Sequence, residues 1–245
     1  MDHIVLILAA GEGKRMKSEL PKVLHIVKGK PMIIHVIETA YSTNPKKIVV
    51  IVGKHYQSIK NCIESYNIQN IEYVFQKDPL GTGHAIMSCN YLFLPNYNSK
   101  FLILSGDVPF IKKNTIEQLL ISHNNVSIIV TNLINPSGYG RIIKDYDNNF
   151  IKIIEEKDCN DIEKNITTIN SGIYLFNSIL LDKYLNKINN NNANNEYYLT
   201  DIFKIIKDNE INIKFNLLEL NLENQYQILG INDQNQLNYL NNLNI

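Results

Sequence analysis

Apolar and polar positions follow two alternating rhythms along this chain. Runs 4–8, 48–52, 71–75, 101–104 and 126–131 are short, apolar and rich in β-branched or aromatic residues, whereas segments 31–41, 57–65, 83–93 and 113–123 place apolar residues at helical spacing. Such runs suit strands buried on both faces, and their regular exchange with helices predicts βαβ units on a mostly parallel sheet. The expected fold is α/β and Rossmann-like, with ligands at the carboxyl ends of the strands. Past residue 131 the rhythm changes to hairpin pieces, 138–143 and 150–155 about a turn at Asp147-Asn148-Asn149, then a strand over 169–176 and helices near 179–188 and 199–208. This second part, 132–230, reads as a smaller lobe beside 1–131. Leu237, Leu240 and Leu243 recur every third residue and predict a final amphipathic helix on the surface, within 231–245.

The first apolar run breaks into Leu8-Ala9-Ala10-Gly11-Glu12-Gly13-Lys14-Arg15-Met16, followed by Leu20-Pro21-Lys22. Small residues let backbone N–H groups approach a ligand, and Arg15 and Lys22 add fixed positive charge, a combination suited to a polyphosphate. The same glycines also fit an ordinary strand-to-helix turn, and both readings stand at this level. A Walker A loop would need Gly-x-x-x-x-Gly-Lys-Ser/Thr, and a dinucleotide fingerprint would need a third small residue where Met16 stands.

Charge sharpens this picture. Lys+Arg and Asp+Glu number 24 each in 245 residues, so no overall field draws the chain to nucleic acid or an anionic membrane, and a small-molecule partner is expected. Cys62, Cys89 and Cys159 are far apart and in no metal-ligand spacing, which argues against a disulfide framework or a zinc site and fits a reducing cytoplasm. The N-terminal run is too short for a membrane span and lacks a signal-peptide pattern, so a cytoplasmic protein without membrane insertion is expected. Of 36 asparagines, 22 lie from Asn160 onward, a bias that resembles the drift of an AT-rich genome more than a functional design.

Two further motifs carry chemistry. Ser105-Gly106-Asp107-Val108-Pro109 ends a buried run with a carboxylate placed to hold a divalent cation against phosphate oxygens, or else to cap the next turn. Gln76 closes run 71–75 ahead of Leu80-Gly81-Thr82-Gly83-His84-Ala85; its amide offers a donor beside an acceptor, which suits the imide edge of uracil. Alone, Gly-Thr-Gly-His also reads as a helix start with Thr82 as cap and His84 structural.

Taken with Gly138-Tyr139-Gly140-Arg141, Glu155-Glu156-Lys157-Asp158, Ile169-Asn170-Ser171-Gly172, Glu196-Tyr197-Tyr198-Leu199-Thr200-Asp201 and Gly230-Ile231-Asn232-Asp233, these motifs give almost the whole chain a family resemblance. It resembles N-acetylglucosamine-1-phosphate uridylyltransferases of the nucleotide-diphospho-sugar transferase fold. The resemblance implies an enzyme that joins UTP and N-acetylglucosamine 1-phosphate with Mg²⁺, for cell-envelope precursors. On it, Leu8, Ala9, Ala10, Gly11, Gly13, Arg15 and Lys22 would bind the UTP phosphates, with Arg15 and Lys22 catalytic, while Gln76, Gly81 and Thr82 would recognise uracil. Asp107 and Asn232 would hold the metal, and Gly140, Glu155 and Asn170 the sugar. A different sugar phosphate, or a relic that binds without turnover, is the competing expectation.

The chain departs from the family pattern in places. Lys14 stands where Thr is common, Ser105 where Tyr often precedes Gly-Asp, and Glu156 where His is frequent. Bacterial members usually continue into a β-helix of hexapeptide repeats that carries an acetyltransferase and forms a trimer; the sequence ends soon after Asn232, so a stand-alone uridylyltransferase, monomeric or weakly associated, is expected.

Overall fold

The apolar runs become the strands of one sheet. A computed structural model describes residues 2–96, 99–210 and 214–244. Its strands are β1 (His3–Leu8), β2 (Ile26–Val27), β3 (Lys30–Pro31), β4 (Lys47–Val52), β5 (Ile71–Phe75), β6 (Lys100–Ser105), β7 (Val126–Asn132), β8 (Arg141–Lys144), β9 (Phe150–Ile154), β10 (Thr168–Asn177) and β11 (Phe215–Leu220). The helices are α1 (Met32–Ser42), α2 (Tyr56–Ser65), α3 (Thr82–Met87), α4 (Lys113–Leu120), α5 (Ser178–Tyr184), α6 (Asp201–Asn209) and α7 (Gln234–Asn242).

The main sheet runs in the order β11-β7-β10-β6-β1-β4-β5, with the β8–β9 hairpin attached through β10 and β2–β3 forming a separate small pair. Strand β10 is antiparallel to both neighbours, and the other main-path pairs are parallel, so the mixed but mostly parallel α/β sheet expected from the pattern is present. Alternate residues of each strand serve opposite cores. Ile4, Leu6, Phe101 and Ile103 join Ile86, Leu181 and Phe203 of α3, α5 and α6, whereas Val5, Ile7, Leu102 and Leu104 join Ile37, Ile63 and Leu119 of α1, α2 and α4. Each fully buried aliphatic side chain contributes about 1.5–3 kcal/mol of transfer free energy, which is why these faces fix the sheet register.

Several elements differ from the pattern, three of them with consequences for the site or the sheet. Strand β11 was not expected: its Phe-Asn-Leu-Leu-Glu-Leu sequence lacks clean alternation, and it is held at the sheet edge by parallel pairing with β7. Helix α3 stops at Met87 rather than running to residue 93, and Ser88 there donates its hydroxyl to the His84 carbonyl at 3.2 Å, a local bond that competes with helix continuation. The final helix does not merely lie on the surface. Leu237 and Leu240 of α7 bury with Met16, Val27, Met32 and Ile231 in a third core that ties the chain's end to its first loop.

Candidate active site

Parallel register gathers the loops. Leu8 pairs with Ile51 and Ser105, and Val52 with Phe75, so the segments leaving β1, β4, β5 and β6 emerge at one edge. Because β10 runs the other way, its first residues, including Asn170, reach that same edge, where the Asn170 N–H donates to the Gly140 carbonyl at 2.9 Å. Gly172 lies in a register shift of β10 with φ +76°, and a Cβ there would meet Ser105 Oγ at 3.2 Å.

Beyond β1 and β6 the edge gathers cationic side chains. Gly13 has φ +63°, and a Cβ on it would lie 2.6 Å from Lys22 Cβ, so the loop closes on Lys22 only with glycine here. Lys22 Nζ pairs with the Asp107 carboxylate and lies 3.2 Å from Asn232 Oδ1, while the exposed Arg15 donates to the same Asn232 oxygen at 2.8 Å. Asn232 is placed by backbone and cap. The Ile231 N–H donates to the Asp107 carbonyl at 2.9 Å, Asp233 caps α7 by accepting from the Gln236 N–H, and Gln236 Oε1 accepts from the Asn232 N–H at 2.7 Å.

Asp107 and Asn232 thus converge two hard oxygens on one point, presently shared with an ammonium group. Among the described residues, no cluster of three or more His, Cys, Asp or Glu side chains is arranged to hold a metal. The donor set fits a cation of the Mg²⁺ type, which takes one or two protein oxygens and fills the rest with phosphate and water, and does not fit zinc.

Around Glu155 the side chains are acidic. Thr200 Oγ1 donates to Glu155 Oε1 at 2.8 Å, yet burial, with Asp201, Asp158 and Glu196 nearby, pushes the Glu155 carboxyl above its ordinary value. Asn170 is buried; its Nδ2 donates to the Tyr174 hydroxyl at 2.7 Å and its Oδ1 accepts from the Gly172 N–H at 3.2 Å, leaving one hydrogen and one lone pair for a ligand. Arg141, buried to 1% exposure, fixes the loop of Gly140: it donates to the Tyr139 and Lys164 carbonyls and pairs with Glu156 at 2.7 Å. The departure at Glu156 therefore supplies the counter-charge of a buried arginine.

Gln76 lies at the far side of the edge, after β5. The Gly81 carbonyl beside it belongs to a residue with φ +111°, where a Cβ would stand 2.6 Å from the Tyr197 carbonyl oxygen. Helix α3 begins at Thr82, so Gly81 rather than Thr82 occupies the cap, and the Thr82 hydroxyl instead accepts from the Leu199 N–H at 3.0 Å.

Leu8, Arg15, Thr82 and Asp107 line one cavity with Gly140, Glu155, Asn170 and Asn232. Ala9, Ala10, Gly11, Gly13, Lys22, Gln76 and Gly81 sit on the bordering loops rather than in its lining. Thr200 and Tyr174 also line it and were not singled out from sequence; the signal for Thr200 was its place in Glu-Tyr-Tyr-Leu-Thr-Asp, whereas Tyr174 lay inside an apolar strand pattern.

A protein-family model described as nucleotidyl transferase matches residues 4–218. The chain belongs to the nucleotidyl transferase family. This nucleotidyl transferase is 44% identical over 241 residues to a relative from Acanthamoeba polyphaga mimivirus named "Probable UDP-N-acetylglucosamine pyrophosphorylase", a match covering 96% of this chain and 94% of the relative. It is 40% identical over 236 residues to the "Bifunctional protein GlmU" of Syntrophomonas wolfei, covering 95% of this chain and 51% of that protein, so it spans about half of the bifunctional relative. The crystal structure of an apo UDP-glucose pyrophosphorylase superposes with a TM-score of 0.74 at 18% identity, over 99% of this chain and 97% of the other, and shares the fold.

Proposed function

We propose that this nucleotidyl transferase moves UMP from UTP to N-acetylglucosamine 1-phosphate, releasing pyrophosphate. The observation that carries the reading is the mixed lining of one cavity: Arg15, with Lys22 at its border, shares it with Glu155, Thr200 and Asn170. A sugar phosphate fits such a cavity in one direction, phosphate toward the cations and hydroxyls toward the carboxylate. The names of the relatives supply the acetylated sugar and the uridine nucleotide.

The sugar phosphate oxygen is already anionic at neutral pH, so it attacks the α-phosphorus of UTP in line without a strong general base. Arg15 and Lys22 draw the two anions together and neutralise charge on the transferring group. The backbone of residues 8–13 receives the outer phosphates, while Gln76 and Gly81 take the uracil edge. Glu155 accepts from sugar hydroxyls through the carboxylate lone pairs that Thr200 leaves free. Gly140 and Asn170 hold the rest of the ring. Asp107 and Asn232 would hold Mg²⁺, which when bound supplies electrostatic stabilisation to the phosphate oxygens. Residues 1–131 and 132–230 act as nucleotide and sugar halves, with 231–245 lending the second metal oxygen.

Pyrophosphate release measured with UTP, Mg²⁺ and either N-acetylglucosamine 1-phosphate or glucose 1-phosphate tests this. Turnover at least about tenfold faster in kcat/KM with the acetylated sugar supports it; turnover confined to glucose 1-phosphate overturns the substrate, and UTP binding without product overturns the activity.

A further inference from the structure

Gln76 is 5% exposed, and both hydrogens of its amide are spent inside the protein. Nε2 donates to the Gly81 carbonyl at 3.1 Å and lies 3.0 Å from Nδ1 of His84. The Gly81 carbonyl can only accept, so the amide nitrogen, not its oxygen, must face it; the orientation of the whole group follows. His84 Nδ1 then meets an N–H and must offer its lone pair, which places the imidazole proton on Nε2.

His84 is itself held. It lies on α3 with its ring 6.2 Å from that of Tyr197, and Tyr197 is clasped to the same loop, donating from its N–H to Leu80 at 2.8 Å and accepting from Gly83 at 2.7 Å. The consequence is chemical. Gln76 has only Oε1 left for a ligand, and that atom accepts without donating. A base whose ring nitrogen carries hydrogen beside a carbonyl, the imide of uracil, can donate to it. Cytosine presents a bare lone pair at the same ring position and would set acceptor against acceptor, an unpaired contact that a buried site rejects strongly.

We infer that His84 is a positioning residue that sets nucleobase choice: its Nδ1 locks the Gln76 amide so that an acceptor, and not a donor, meets the base. The inference rests on the proposed uridine site and deepens it. With the lock removed, one bond in place of two holds Nε2, the Gly81 carbonyl alone, and a turn of the amide that gives up this single bond presents an N–H to the cytosine ring nitrogen.

The test is kcat/KM for UTP against CTP in the full chain, with N-acetylglucosamine 1-phosphate as acceptor, alongside melting curves. In His84→Phe, which keeps a ring against Tyr197 but has no acceptor, the UTP/CTP ratio is expected to fall at least about tenfold, mainly through KM. In His84→Asn, whose Oδ1 can replace Nδ1, the ratio is expected to stay near wild type. An unchanged ratio in a folded His84→Phe overturns the assignment and leaves the uridine site standing, and so does equal loss in both variants, which marks a general packing role. A wild-type chain that uses CTP as readily as UTP overturns the uridine site and this inference together. Should His84→Phe not fold, His84→Leu against His84→Asn gives the same comparison.

Discussion

Arg15 reaches Asn232 from the other end of the chain, and its guanidinium is otherwise open to solvent. An exposed cation contributes little to folding, so its removal should be felt in turnover alone. Arg15→Ala is expected to lower kcat at least about a hundredfold, as other charge-stabilising donors do when deleted, while the melting temperature moves by less than about 2 °C. A kcat within about threefold of wild type would remove Arg15 from the reaction. Asp201 behaves differently, since burial and then Asp158 push its carboxyl up to about 6. Between its unfolded value near 3.8 and that pH the native state binds a proton that the unfolded chain has released, so this group's contribution to stability falls as pH rises through the window. Asp201→Asn is expected to lose less melting temperature than wild type between pH 4.5 and 7.5; parallel curves would show that Asp201 titrates as an ordinary carboxylate. The carboxylates and cations of the site were visible residue by residue in their motifs. The hydroxyl partner Thr200 was not, because a threonine between Leu199 and Asp201 reads equally well as a helix start until the fold brings it to Glu155.

At the scale of elements, α7 does the work of a clamp. It buries Leu240 to 1% exposure, caps itself through Asp233, and Gln234 Nε2 donates to the Met16 carbonyl at 3.3 Å, so Asn232 and the Arg15 loop are positioned by one helix. Leu240→Ala is expected to cost about 2–3 kcal/mol, toward the lower end for a buried leucine because the helix is peripheral. Hydrogen exchange should show the loss confined to α7 and the 14–32 segment, with β1 still protected, and kcat/KM for UTP should fall with it. Uniform loss of protection would mean that α7 belongs to the main folding unit and not to a separable clamp. The leucine spacing announced this helix but not its target, since period gives the apolar face and only the tertiary fold says what covers it. The central strands were legible for the opposite reason: burial on both faces makes them apolar throughout, and β1, β4, β6 and β7 fall where the runs do, as does the edge strand β5. Edge strand β11 carries Asn216 and Glu219 among its leucines, and β2 and β3 are two residues each, too short to leave a pattern.

Across the whole molecule the formal charge is zero, yet the strand edge concentrates its charges, Arg15 and Lys22 about Asp107 and Asn232, and Asp158, Glu196 and Asp201 about Glu155. Composition could not show this, because it counts charges without placing them. Two cations are too few for a triphosphate and a sugar phosphate together, and one of them, Lys22, is already paired with Asp107. A divalent ion at Asp107 and Asn232 would displace that pairing, freeing Lys22 for phosphate while cancelling further negative charge. Nucleotide binding should therefore depend on the metal. With Mg²⁺ and UTP at about a hundred times its Kd, mass action adds about 2.7 kcal/mol of stability, which for a chain of this length raises the melting temperature by roughly 5–10 °C. Chelation with EDTA is expected to shrink that shift and abolish pyrophosphate release, with both restored by added Mg²⁺. In Asp107→Asn the UTP shift should become nearly insensitive to Mg²⁺, because the only carboxylate among the two proposed metal ligands is gone. Equal UTP shifts and equal turnover in EDTA and in Mg²⁺ would show that Arg15, Lys22 and the loop amides bind and activate the phosphates unaided, and that the Lys22–Asp107 pair is structural.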